Sequence, residues 1–288
     1  MGISRRVLVT AIVLSLFPAG IASAQPVLLQ IRPRGGDTLA VRMEQKVEMT
    51  GVPSGCATGY SGAGRGAKSV RPQRECADST RRMTSVMQVF SKAIVTRVTG
   101  NGAVILAVTD SVRSSLTSGS GPAAPPRKVR SSSAGIEMVV APDGRATVSD
   151  ADASDELRAV FGQMPATLSR NAVAVGETWV RRMRIPISSE AGATSIVVAT
   201  FRLDSLGRNG DIAHISMKGT LSHDHRDGSD SELDGWLTGT MQLDRRLAWI
   251  TETRAVIDVE SIVKPNTGGD LMRVRTRITQ ALSSKPTR

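Results

Sequence analysis

The chain has 288 residues, with 37 Lys and Arg against 26 Asp and Glu and a formal charge of +11. Aromatic residues make up only 3% of it, which argues against a stacking platform for single-stranded nucleic acid and leaves the core to Val, Ile, Leu, Met and Ala. A basic chain meets anionic lipid, cell-wall polymer or nucleic acid only where its charge clusters, and here most Lys and Arg alternate with apolar residues.

Residues 1 to 24 are organised as a secretory signal peptide: Arg5 and Arg6 lead the apolar run Val7 to Phe17, and Ala22-Ser23-Ala24 forms an A-x-A cleavage site. Cleavage after Ala24 predicts a periplasmic or secreted protein that loses two positive charges and starts at Gln25. The apolar run falls short of the roughly 20 residues that span a bilayer, so no lasting transmembrane segment is expected. No Cys follows the cleavage site to carry a lipid.

The first element follows Gly36-Asp37-Thr38. Over residues 38 to 50, Leu39, Val41, Met43, Val47 and Met49 alternate with Arg42, Glu44, Lys46 and Glu48, the period of two of a strand with one wet face. An irregular insertion covers residues 51 to 81 and holds the only cysteines, Cys56 and Cys76. In an oxidising compartment an isolated even pair reads as a disulfide, contributing about 3 kcal/mol for a loop of this size. A thiol-redox centre would call for C-x-x-C spacing. Within the insertion, "GAGRGAKS" places Ala67 where a phosphate loop needs Gly before its Lys, and no strand and helix flank it.

Alternating runs continue at 83–99, 102–116 and 135–142, with a Ser-, Gly- and Pro-rich insertion at 117–134. In "SDADASDELRAVFGQMP", Leu157, Val160, Phe161 and Met164 form one apolar stripe behind an acidic first turn, which predicts a helix over 154–164 covering the sheet. Strands then follow at 178–187, 194–206, 210–222, 235–244, 247–261 and 270–282. Tight turns at 99–102, 141–146, 206–211 and 243–247 join antiparallel neighbours, whereas parallel strands would need crossover helices. The expectation is a mainly β (α+β) fold: one domain over 25–288, in halves of about 25–148 and 149–288, built as a curved antiparallel sheet or half-barrel of about ten strands with one covering helix.

Chemistry-bearing residues gather once, in "LSHDHRDGSDSELDGW" at 221–236. His223 and His225 at i, i+2 on an extended segment project to one side and could hold a transition metal with Asp227 as third ligand. Oxygen ligands there would suit Ca²⁺, but the spacing matches neither an EF-hand loop nor a zinc-protease helix, and a solvated hairpin loop explains the same composition. No G-x-S-x-G elbow occurs. His214 lies within an alternating strand, and Asp143, Asp150, Asp204 and Asp211 flank turns. No catalytic constellation emerges, and neither an enzyme nor a cofactor is expected.

"GDT" before an amphipathic strand, the "MVVAPDGRA" hairpin, "VGETW" and "GTMQLDRRLAWITETR" together resemble an uncharacterised family of exported bacterial proteins, a domain of unknown function. That resemblance implies an envelope-exported, mainly antiparallel β protein with no catalytic residues to carry over. By fold-level analogy such architecture looks like the curved sheet-plus-helix carriers of lipoproteins and lipids. The expected function is therefore non-enzymatic binding of a lipid, acyl chain or other hydrophobic ligand, lined by Met43, Met49, Met83, Met87, Leu157, Phe161 and Trp179. A structural or interaction module of the cell envelope, meeting a protein or an anionic surface, is the alternative. A metal-assisted hydrolase using His223 and His225 ranks third. Gly36-Asp37-Thr38-Leu39 and Gly176-Glu177-Thr178-Trp179 echo each other, with a looser copy at Gly269-Asp270-Leu271; the echo reads as the way strands begin in this chain.

Overall fold

A computed structural model describes residues 25–53, 80–119, 127–129, 135–149, 167–186, 194–223, 233–263 and 271–287. They form twelve strands: β1 Thr38–Pro53, β2 Arg81–Thr99, β3 Gly102–Ser118, β4 Arg127–Val129, β5 Ile136–Val140, β6 Ala146–Val148, β7 Thr178–Pro186, β8 Thr194–Gly207, β9 Ile212–His223, β10 Leu233–Asp244, β11 Trp249–Val263 and β12 Met272–Pro286. All lie in one antiparallel sheet ordered β6-β5-β3-β2-β1-β12-β11-β10-β9-β8-β7, with β4 added beside β3. β2–β3, β5–β6, β8–β9 and β10–β11 pair through tight turns, while β1 and β12 pair along their whole length in mid-sheet. Twelve strands are found where about ten were expected, because β4 and β6, at three residues each, are too short to show a period.

The expected helix over 154–164, with Leu157 and Phe161, lies outside the described residues. Among the described residues there is no α-helix, only a 3-10 turn at Arg208–Gly210 between β8 and β9.

The sheet curls. Ile31 N–H donates to Pro142 O in the β5–β6 turn at 2.9 Å, and the next residue, Arg32, donates to Ala248 O in the β10–β11 turn at 2.9 Å. In a flat sheet those turns would stand more than about 20 Å apart, at about 4.8 Å per strand. The two edges also approach each other: Asp143 O, in the β5–β6 turn, accepts Thr167 N–H and Leu168 N–H at 3.0 Å each, while Trp179 of β7 donates Nε1–H to Thr167 O at 2.8 Å. The described residues of β6 and β7 do not pair with each other. The sheet is thus an open barrel, its seam crossed by residues 25–33 and 167–175, which bridge to each other through Val27 and Val173.

These crossing segments close one end, the base. Leu29 and Leu168, both at 0% exposure, meet Leu39, Val95, Ile105, Val140, Phe201, Leu203, Ile215 and Leu243 in one apolar cluster. The two echoed motifs are one turn built twice beside this base. Gly36 (φ 88°) and Gly176 (φ 91°) occupy the positive-φ position of a four-residue turn. Asp37 Oδ2 accepts Arg34 N–H at 2.9 Å and Glu177 Oε2 accepts Ala174 N–H at 2.7 Å. Gly36 N–H then donates to Val95 O and Gly176 N–H to Leu203 O, at 2.8 and 2.7 Å, fastening β1 to β2 and β7 to β8.

Candidate functional site: the inner face of the sheet

Directly paired residues of antiparallel strands share a face, so the register fixes what lines the inside. One row across the sheet reads Met183, Val197, Leu221, Gly235, Val259, Thr276, Met49, Met83. The second row from it towards the base reads Trp179, Phe201, Met217, Gly239, Ala255, Gln280, Gln45, Met87. The opposite face carries the ion pairs, among them Lys46–Glu48, Arg273–Glu260 and Arg275–Glu260. There too Phe90 lies beneath the guanidinium groups of Arg42 and Arg113, at 5.6 and 5.4 Å.

Burial changes along each row. Met183, Val197, Leu221 and Val259 are buried, yet Met49, Met83 and Thr276 in the same row are half-exposed. Phe201 and Met217 are buried, whereas Gln280, Gln45 and Met87 are half-exposed. Leu116 of β3, on the same face one row between them through Ser85 and Val47, stands 53% exposed. The inner face is filled along β7 to β10, and along β1, β2, β3 and β12 it is filled only near the base.

The four expected methionines are therefore brought together on one half-open surface. Met49 faces Met83 directly, Met87 faces Gln45, and Met43 accepts a weak contact from Gln280 Nε2 at 3.5 Å. Trp179 does not join them. Its ring stacks on Phe201 with centroids 5.7 Å apart and planes 12° from parallel, and its N–H is taken by Thr167, so it packs core at the far flank of the sheet.

One inward residue was missed in the sequence. Arg181 lies between Trp179 and Met183 on the inner face of β7, paired with Ala199. Its Nη2–H donates to Leu168 O, and its Nε is buried without a partner. The signal was present: in "TWVRRMRI" the inward phase reads Trp179, Arg181, Met183.

His225, Asp227, Cys56 and Cys76 lie outside the described residues, and His223 is the last residue of β9. Among the described residues no group of three His, Cys, Asp or Glu could hold a metal ion. His214 sits on the outer face, paired with Gln242. Asp143 is a turn residue: its carboxylate accepts Arg145 N–H and Arg170 Nε–H, each at 3.3 Å. No helix among the described residues is long and apolar enough to cross a membrane.

No protein-family model and no curated protein matches the chain. A solved structure, an outer membrane channel from Pseudomonas putida F1, aligns with 93% of this chain and 100% of its own at 8% identity. Its TM-score is 0.26, too low for the likeness to bear on fold or function.

Proposed function

We propose that the chain is an exported binding protein that holds a hydrophobic ligand, a lipid or acyl chain, against the half-open inner face of its curled sheet. The observation that carries this reading is the change within a single row, from buried Val197 and Leu221 to half-exposed Met49 and Met83. An apolar face left open costs about 25 cal/mol for each Å² in contact with water, and an acyl chain laid on it would recover that. Methionine suits the task because its unbranched, polarisable side chain adapts to ligands of varied shape. The closed base supplies the rigid floor that a binding surface needs.

Export belongs to the same reading, with cleavage after Ala24 and a Cys56–Cys76 bridge in the segment joining β1 to β2. Native mass spectrometry of protein gently extracted from its own envelope fraction tests the carrier: the expected result is a mass increment that organic extraction removes as lipid. A bare polypeptide mass would count decisively against it.

A second reading, an interaction module of the envelope, is favoured by the outer face of β7 to β10. Val180, Val198 and Trp236 stand 60%, 40% and 57% exposed there, with only Thr220 between Val198 and Trp236 in the register. This reading expects salt-resistant retention on envelope fractions that Trp236→Ala abolishes; elution of both proteins alike would end it.

A further inference from the structure

We propose that the free edge of β7 takes up an extended, acidic segment of a partner protein by strand addition. The inference rests on the interaction-module reading above and gives it a partner chemistry.

The sheet ends in two unlike edges. β6 has three residues, and a very short edge strand is one way in which sheets discourage pairing. β7 has nine and keeps one unbroken register with β8, whereas the β2–β3, β8–β9 and β10–β11 ladders each carry a shift. A long, regular edge is the form that templates another strand.

Register assigns the unspent groups of that edge. Leu203 N–H donates to Glu177 O, and bonded pairs alternate with non-bonded ones along an antiparallel ladder. Trp179, Arg181 and Met183 therefore turn their backbone groups to β8, while Val180 and Arg182 turn theirs off the sheet. Among the described residues no backbone bond reaches Val180 or Arg182 from that side. The Arg181 side chain is turned inward onto Leu168 O and leaves the edge to its two neighbours.

The side chains beside the edge select an acidic strand. Val180 and Arg182 are both exposed on the outer face, and among the described residues no carboxylate pairs with Arg182. Across β11, β12 and β1, by contrast, Arg254, Arg273, Arg275, Arg277 and Arg42 each have an acid. β7 holds three arginines and no Asp or Glu, so the same edge of a second copy offers Arg182 no counter-charge. An incoming strand sets one residue beside Val180 and another, two positions along on the same face, beside Arg182. An apolar residue suits the first and an acid the second. Main-chain bonds then supply affinity and these alternate side chains supply specificity.

The test titrates two synthetic nonapeptides into the full-length mature protein, one with Thr at odd positions and Val and Glu alternating at even ones, the other with Lys in place of Glu. Fluorescence anisotropy should show the Glu peptide binding about fivefold tighter, the scale on which a cross-strand charge pair turns from opposite to like. Amide hydrogen exchange read by NMR should show Val180 and Arg182 exchanging quickly in the free protein and slowly with the Glu peptide bound. Arg182→Glu should reverse the preference; should that variant fail to fold by circular dichroism, Arg182→Gln should abolish it. Amides already protected in the free protein, whether by the chain's own residues or by a second copy seen in sedimentation, would overturn the proposal. Equal binding of the two peptides, or binding of neither, would do the same. Envelope retention that still depends on Trp236 would then leave the interaction module standing, whereas retention indifferent to Trp236→Ala removes that reading itself.

Discussion

The two flanks of the sheet follow the same alternating rule and end differently. Along β7 to β10 the inward residues Val197, Phe201, Leu203, Ile215 and Leu221 are buried to 3% exposure or less. Along β1 to β3 the inward residues Met49, Met83, Met87 and Leu116 remain half-exposed or exposed. At the base, Leu29 and Leu168 of the crossing segments join both flanks in one cluster, with Leu39, Val95 and Ile105 as well as Leu203 and Ile215, and the first flank adds the Trp179–Phe201 stack of β7 and β8. Alternation determines which side chains share a face, while a second layer determines whether that face becomes core.

Four variants sharpen the contrast. Phe201→Ala on the filled flank removes a wholly buried ring and the stacking partner of Trp179; a loss of about 3–5 kcal/mol is expected from urea unfolding. Trp179→Phe keeps a ring against Phe201 but leaves Thr167 O without its donor, and should cost about 1 kcal/mol by the same measurement. Met49→Ala with Met83→Ala, on the open flank, should cost less than about 1 kcal/mol per residue, since these side chains bury only part of their surface; the same double variant should retain markedly less lipid in native mass spectrometry. Stability as sensitive there as at Phe201 would mean that the open flank is core after all. Arg275→Gln breaks an exposed pair with Glu260 and should stay within about 0.5 kcal/mol of the parent.

The long strands were legible because each keeps one wet face. In β1 and β12 the outward Arg42, Glu44, Lys46 and Glu48 and Arg273, Arg275 and Arg277 mark the period without ambiguity. The turns were legible too, since Gly36, Gly144 and Gly176 adopt positive φ where Gly-containing turns were read. The crossing segments were not, because their hydrogen bonds go to residues remote in sequence and impose no period of their own. The site was legible in part: the phase of β1 and β2 put Met43, Met49, Met83 and Met87 on one face, but nothing local distinguished Trp179 as core. Arg181 escaped attention because arginine on a strand suggests a wet face, and only its phase with Trp179 and Met183 shows otherwise.

The pairing of Val27 with Val173 also sets an order of events. Hairpins such as β2–β3 and β8–β9 close through short turns and can form as soon as their residues exist, whereas contacts between distant parts of the chain wait for loop closure. Residues 25–33 need the β5–β6 turn, the segment around Val173 and the β10–β11 turn already in place. The first part of this region to be synthesised is therefore the last to find its position, acting as a latch drawn across a sheet that has already curled. A chain held at its N-terminus should assemble its hairpins and still lack a finished base, and protease should cut near Leu28 until the latch has closed.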